Sequence, residues 1–113
     1  MTEHDVQCAI CDYLEIRRIC YWAVPNGGKR SRSESARFKK EGVRSGVPDL
    51  TIVYDGMYYG LEVKKPATRT PKGYLSKNQK SMIKQIETAG GDVKVVYSVQ
   101  DVIEAFIDWG IGV

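Results

Sequence analysis

A chain of 113 residues with a formal charge of +3, 42% hydrophobic and 27% charged residues has the size and composition of one globular domain. That balance excludes a disordered or fibrous protein, and no apolar run nears the roughly 18 residues that a membrane-spanning helix takes. The acidic opening Met1-Thr2-Glu3-His4-Asp5 is unlike a secretory leader, and three cysteines suit reduced thiols in a cytoplasmic setting better than a disulfide frame.

Residues 3–18 have a helical repeat in Val6, Ile10, Tyr13, Leu14 and Arg17, with Thr2 placed as N-cap and Glu3 and Asp5 in the first turn. Glu3 precedes Val6 by three, which assigns it to the neighbourhood of the inward face, unusual company for a carboxylate. A strand at 20–24 runs into the turn cluster Pro25-Asn26-Gly27-Gly28, and a short basic helix over 33–41 is stopped by Gly42. Two strand-like runs, 50–54 and 57–64, flank Asp55-Gly56, a strong signal for a two-residue hairpin. Residues 66–75 read as an exposed basic loop. Ser76 caps a helix over 77–89, ended by Gly90-Gly91, and a strand follows at 93–97. Ser98-Val99-Gln100-Asp101 has the form of a capping box opening a last helix that buries Val102, Ile103, Phe106 and Trp109. The order predicts one α/β domain with a mixed β-sheet flanked by helices.

The charge is segregated. Residues 29–45 carry seven basic and two acidic side chains, and residues 64–80 carry six basic side chains and no acid. Between them, residues 46–63 hold only Asp49, Asp55 and Glu62. Two basic segments around a carboxylate stretch fit a polyanion with a cation held at its centre, and together they point to nucleic acid.

With Asp55-Gly56 as the hairpin loop, residues facing one another have numbers that add to 111, so Asp49 faces Glu62. Cross-strand partners share a face, with Cβ atoms about 4.5–5.5 Å apart. Lys64, two residues past Glu62, lies on that face, while Leu50, Ile52, Tyr54, Tyr59, Leu61 and Val63 form the other, core-directed one. Two carboxylates at this spacing repel unless a proton or a cation sits between them. A hard divalent ion, Mg²⁺ or Mn²⁺, relieves the repulsion and leaves positions for water and phosphate. Lys64 then orients the water or stabilises charge on the phosphate, Glu3 adds a ligand from the first helix, and Gln79, in phase with Met82, Ile83 and Ile86, orients a ligand or the water. The same spacing also suits an exposed cross-strand ion-pair group with no catalytic role.

Gly46-Val47-Pro48-Asp49, followed after twelve residues by Glu62-Val63-Lys64, resembles the PD-(D/E)XK nuclease signature. Thr2-Glu3-His4, Pro25-Asn26-Gly27-Gly28, the run from Gly42 to Leu50, Gly60-Leu61-Glu62-Val63-Lys64 and Leu75-Ser76-Lys77-Asn78-Gln79 narrow the resemblance to the VRR-NUC family, from Glu3 to about Phe106. Val93-Lys94-Val95-Val96-Tyr97 departs from the family's name-giving Val-Arg-Arg motif. The resemblance implies a small restriction-endonuclease-like domain and a Mg²⁺- or Mn²⁺-dependent DNA endonuclease. It implies Glu3, Asp49 and Glu62 as acidic metal-site residues, Val63 as a main-chain carbonyl ligand, Lys64 as catalytic lysine and Gln79 as a supporting polar residue. Stand-alone members of this size are similar to phage and bacterial proteins that act as homodimers, some on branched DNA such as four-way junctions. The alternatives are a non-catalytic nucleic-acid-binding module, or a nuclease dependent on a helicase or recombination partner.

Asn26, Gly27 and Gly28 are expected to bring backbone amides to a phosphate. Lys29, Arg30, Arg32, Arg37, Lys39, Arg44, Lys65, Arg69, Lys72 and Lys77 are the expected DNA-backbone contacts. Tyr21 and Trp22 beside the turn offer rings for an unpaired base, with at least one of them assigned to the core. Cys8-Ala9-Ile10-Cys11 with His4 and Cys20 could supply four zinc ligands, but one helical turn splays its side chains poorly for a closed tetrahedron, and free thiols are the better expectation.

Overall fold

The structure, a computed structural model, describes residues 1–26, 30–68 and 75–112. Helix α1 (Glu3–Ile16) opens with a capping box in which the Thr2 hydroxyl accepts from the Asp5 N–H at 3.1 Å and the Asp5 carboxylate accepts from the Thr2 N–H at 2.9 Å. It stops two residues before the expected end. Arg18 takes a left-handed φ of 56°, and the Ile19 N–H reaches back to the Leu14 carbonyl at 3.0 Å, a Schellman closure formed without glycine. Strand β1 (Cys20–Ala23) follows, then helix α2 (Arg32–Lys40), capped by Ser31 and burying none of its residues. Strands β2 (Leu50–Tyr54) and β3 (Met57–Val63) meet at Asp55 and Gly56 with φ of 50° and 77°, both positive as a type I′ turn requires.

A 3₁₀ turn at Pro66–Thr68 precedes helix α3 (Lys77–Thr88), strand β4 (Asp92–Val96) and helix α4 (Val99–Trp109). The expected capping box at 98–101 forms only half. The Ser98 hydroxyl accepts from the Asp101 N–H, but the Asp101 carboxylate accepts from the Tyr97 N–H, one residue before the cap, at 2.8 Å. On α4, Val102 and Phe106 are buried as expected and Ile103 and Trp109 only half-buried, while the small Ala105 takes a buried position instead.

The four strands form one mixed sheet in the order β1-β2-β3-β4, antiparallel except for the β3–β4 pair. The β2–β3 register is the one the hairpin arithmetic requires, Leu50 with Leu61 through Tyr54 with Met57. The core lies on one face of the sheet. Val6, Ile10 and Leu14 of α1 and Val102 and Phe106 of α4 pack onto Leu50, Ile52, Tyr59, Leu61, Val63 and Val96. Side chains on the opposite face meet α3 near β4 and are open toward β1. Among the described residues, no helix is long and apolar enough to cross a membrane.

Candidate active site

Asp49 stands at the foot of β2, opposite Glu62 in the extended register, and is fixed from three directions. Its Oδ2 accepts the Val63 N–H at 2.8 Å, its carbonyl accepts the Val24 N–H at 2.9 Å, and the Asn26 side-chain amide lies 3.4 Å from Oδ1. The same amide donates to the Val47 carbonyl at 2.8 Å. Pro48, fully buried, lies on the bare backbone of Gly60; a Cβ there would fall 2.7 Å from its ring. Gly46, with φ of 82°, lets the loop press onto the start of α3, where a Cβ would collide with the Asn78 backbone. The Asn78 amide closes the contact on the Ser45 hydroxyl at 3.1 Å. Loop and helix are therefore locked together, and that lock brings Gln79 to the sheet.

Gln79 joins the site's parts. Its Oε1 accepts the Ser76 N–H at 2.8 Å, completing the α3 capping box, and lies 3.4 Å from the Lys64 ammonium. Its Nε2 donates to Glu62 Oε1 at 2.8 Å. Lys64 Nζ is 3.8 Å from that oxygen, and its side chain is 13% exposed. Glu62 is only 2% exposed, and its other oxygen, Oε2, is buried without a hydrogen-bond partner among the described residues. Burial first, and the Asp49 carboxylate second, push the Glu62 carboxyl up to about 8, with Lys64 opposing them. An exposed ion-pair group is thereby overturned as a description of these residues.

The remaining expected residues divide by environment. Glu3 is exposed rather than turned to the inward face, though its charge acts on Glu62. Val63 is buried and contributes its N–H to Asp49. Asn26 directs its amide to the Asp49 loop, a positioning contact across 23 residues that no local pattern announces. The Ser76-x-x-Gln79 pattern of a capping box, by contrast, is present in the sequence. Arg30 and Arg37 stack on the Phe38 ring at 4.7 and 5.1 Å, and Arg44 donates to Gln85 at 2.9 Å. Arg32, Lys39, Lys65 and Lys77 are exposed. Gly27, Gly28, Lys29, Arg69 and Lys72 lie outside the described residues.

Among the described residues, no three His, Cys, Asp or Glu side chains gather into a metal cage. Two carboxylates, Asp49 and Glu62, are what this face offers a cation, with oxygens from the main chain and water to complete it. The zinc alternative has no four-ligand site either. Cys8 lies 3.5 Å from the His4 ring, Cys8 and Cys20 are exposed, and all three cysteines are free. A shallow cavity of about 420 Å³ runs along α1 beside Glu3, His4, Gln7, Cys8, Cys11 and Asp12. The carboxylate pair itself lies outside that cavity.

The VRR-NUC domain model matches residues 1–100. This chain belongs to the VRR-NUC family. VRR-NUC domains are in general nuclease domains. A solved structure described as a VRR_NUC domain protein shares the fold with a TM-score of 0.69 at 22% identity, over 94% of this chain and 85% of that one. No curated protein matches the chain. In this VRR-NUC domain, Asp49, Glu62, Lys64 and Gln79 converge on one face of the sheet beside α3.

Proposed function

We propose that this VRR-NUC domain is a Mg²⁺- or Mn²⁺-dependent DNA endonuclease, selective for branched DNA such as four-way junctions and active as a homodimer. The observation that carries the reading is the buried, unpartnered Glu62 Oε2 beside Asp49. A buried carboxylate oxygen without a donor is strongly destabilising unless a proton or a cation satisfies it. The donor set is all oxygen, which fits a hard divalent ion and not a thiophilic one.

Asp49, Glu62 and the Val63 carbonyl would hold the ion, with Glu3 adding negative charge from α1. Bound there, the ion would polarise the scissile phosphate and acidify a water molecule. Gln79 anchors Glu62 Oε1, which leaves Oε2 for the ion. The Val63 N–H occupies Asp49 Oδ2, and Oδ1, which accepts the Asn26 amide at 3.4 Å, keeps a second lone pair for the ion. Lys64, half-buried and held near Gln79, offers a fixed ammonium to the charge that grows on phosphate as water adds to phosphorus and a backbone P–O bond breaks. The basic side chains of α2 and residues 64–80 supply sequence-independent contacts to the DNA backbone. Two copies related by a two-fold axis would present two such sites to opposed strands.

The test is a cleavage panel of duplex, single-stranded, flapped and four-way-junction DNA with Mg²⁺, Mn²⁺ or EDTA. Wild type should cut only with metal and best at branches. Asp49→Ala and Glu62→Ala should each lose at least about a hundredfold in rate while binding DNA as before. Light scattering at the working concentration should give the mass of two chains. Metal-independent cutting would remove the cation from the reaction, whereas binding without cutting under every condition would replace the nuclease by a binding module or a partner-dependent subunit.

A further inference from the structure

Among the described residues, the aromatic ring of Trp22 stands uncovered on the carboxylate face of the sheet. Side chains alternate along β1, and Tyr21 packs against the core, so Trp22 points to the opposite face, where it is 51% exposed. Trp22 pairs with Thr51, and Thr51 with Gly60. Asp49 lies two residues before Thr51 and Glu62 two after Gly60, so both share the face of the indole. The Val24–Asp49 hydrogen bond of 2.9 Å extends the β1–β2 pairing to the site itself. Trp22 and Asp49 are thus diagonal cross-strand neighbours, a relation that spans about 7–8 Å and lies within reach of an aromatic side chain. Val53, 37% exposed and paired with Cys20, is the apolar neighbour on the open side.

Resting on the nuclease reading above, we infer that Trp22 is the stacking platform for one unpaired nucleobase, that of the nucleotide next to the phosphate held at Asp49 and Glu62. A diagonal cross-strand spacing of about 7–8 Å is on the order of one nucleotide step from phosphate to neighbouring base. A flat base can lie on the indole without covering Asp49, whereas a protein surface seated there would also close the carboxylate site. Every base has a π-face, so the platform is indifferent to sequence; a base inside a duplex is already paired and stacked and cannot reach it. The platform therefore favours strands opened at a flap, a junction or an end. It gives the chain a physical basis for structure selectivity that the carboxylates alone do not supply.

The experiment measures binding with Ca²⁺ in place of Mg²⁺, a hard cation that fills an oxygen site and holds phosphate there while supporting far slower cutting. The probes are a flapped DNA with 2-aminopurine in its unpaired arm and a blunt duplex of the same length. Wild type should quench the 2-aminopurine. Trp22→Leu should lose the quench and bind the flapped DNA roughly tenfold more weakly, with duplex binding unchanged; Trp22→Tyr should restore most of both. Melting curves establish that the variants are folded, and the wild-type quench needs no variant at all. An unquenched arm on wild type overturns the inference, as does Trp22→Leu binding the flap like wild type or losing flap and duplex alike. A fall in mass from two chains to one in Trp22→Leu would make the indole a contact between copies instead. Wild type that binds neither probe would overturn the nuclease reading and this inference with it; binding without the quench overturns this inference alone.

Discussion

Glu62 occupies a position that elsewhere in a sheet would be apolar. Its neighbours Leu61 and Val63 face the core on one side, while its own side chain is closed in by Gln79 and Lys64 on the other. Water is excluded from a carboxyl that also faces Asp49, and its affinity for a proton rises to about 8 from an ordinary value near 4.5. The consequence for stability has a definite sign. Between these two values the folded, cation-free chain keeps a proton that the unfolded chain has lost, so stability falls as pH rises through the window and levels off above it. Thermal melts in EDTA from pH 5 to 8 should show the midpoint descending. Glu62→Gln, which stays neutral, should flatten that slope. Adding Mg²⁺ should raise the wild-type midpoint most at the upper end of the range, where fewer protons compete, and leave Glu62→Gln unmoved. A wild-type midpoint indifferent to both pH and Mg²⁺ would remove the metal role from this carboxyl.

At the level of elements, most of the fold was legible because its signals are local. Asp55-Gly56 sets the hairpin and with it the Asp49–Glu62 pairing, since a type I′ turn admits one register. Glycines 42 and 90 close α2 and α3 as expected, and Gly110, which the sequence reading did not single out, closes α4. The fourth, α1, closes at Arg18, whose left-handed backbone nothing in the sequence announces; burial of Ile19 against Leu14 holds it there. The half-formed capping box at Ser98 was misread because Asp101 has a closer partner in the Tyr97 N–H, available only once β4 ends where it does. In the site, Asp49, Glu62, Lys64 and Gln79 were legible from spacing and from the family's motif blocks. The links that position them were not: Asn26 to Val47, Pro48 on Gly60, and Asn78 to Ser45 join segments distant in sequence. The placement of Glu3 was wrong in one respect, for its position in the first turn of α1 leaves it exposed while its charge still acts on Glu62.

At the scale of the molecule, the distribution of positive charge follows a division of labour between elements. The sheet with α1 and α4 forms the core, whereas α2 buries nothing and is held by its Ser31 cap and by two guanidinium groups stacked on Phe38. On the nuclease reading proposed above, a helix that stabilises no core yet carries Arg32, Arg37, Lys39 and Lys40 would meet the DNA backbone. Arg32 and Lys39 are two turns apart and so lie on one side of the helix, both exposed. Replacing both by alanine should leave the melting temperature within about four degrees, because surface substitutions of this kind each shift stability by no more than about 0.5 kcal/mol. The effect belongs to binding. Each lost phosphate contact should reduce the steepness of log K against log salt by about 0.9, so the double variant should flatten by roughly 1–2 units on duplex and branched DNA alike. A titration of labelled DNA in EDTA at four salt concentrations would measure it. An unchanged slope would move the path of the DNA away from α2 and onto the basic residues that follow β3.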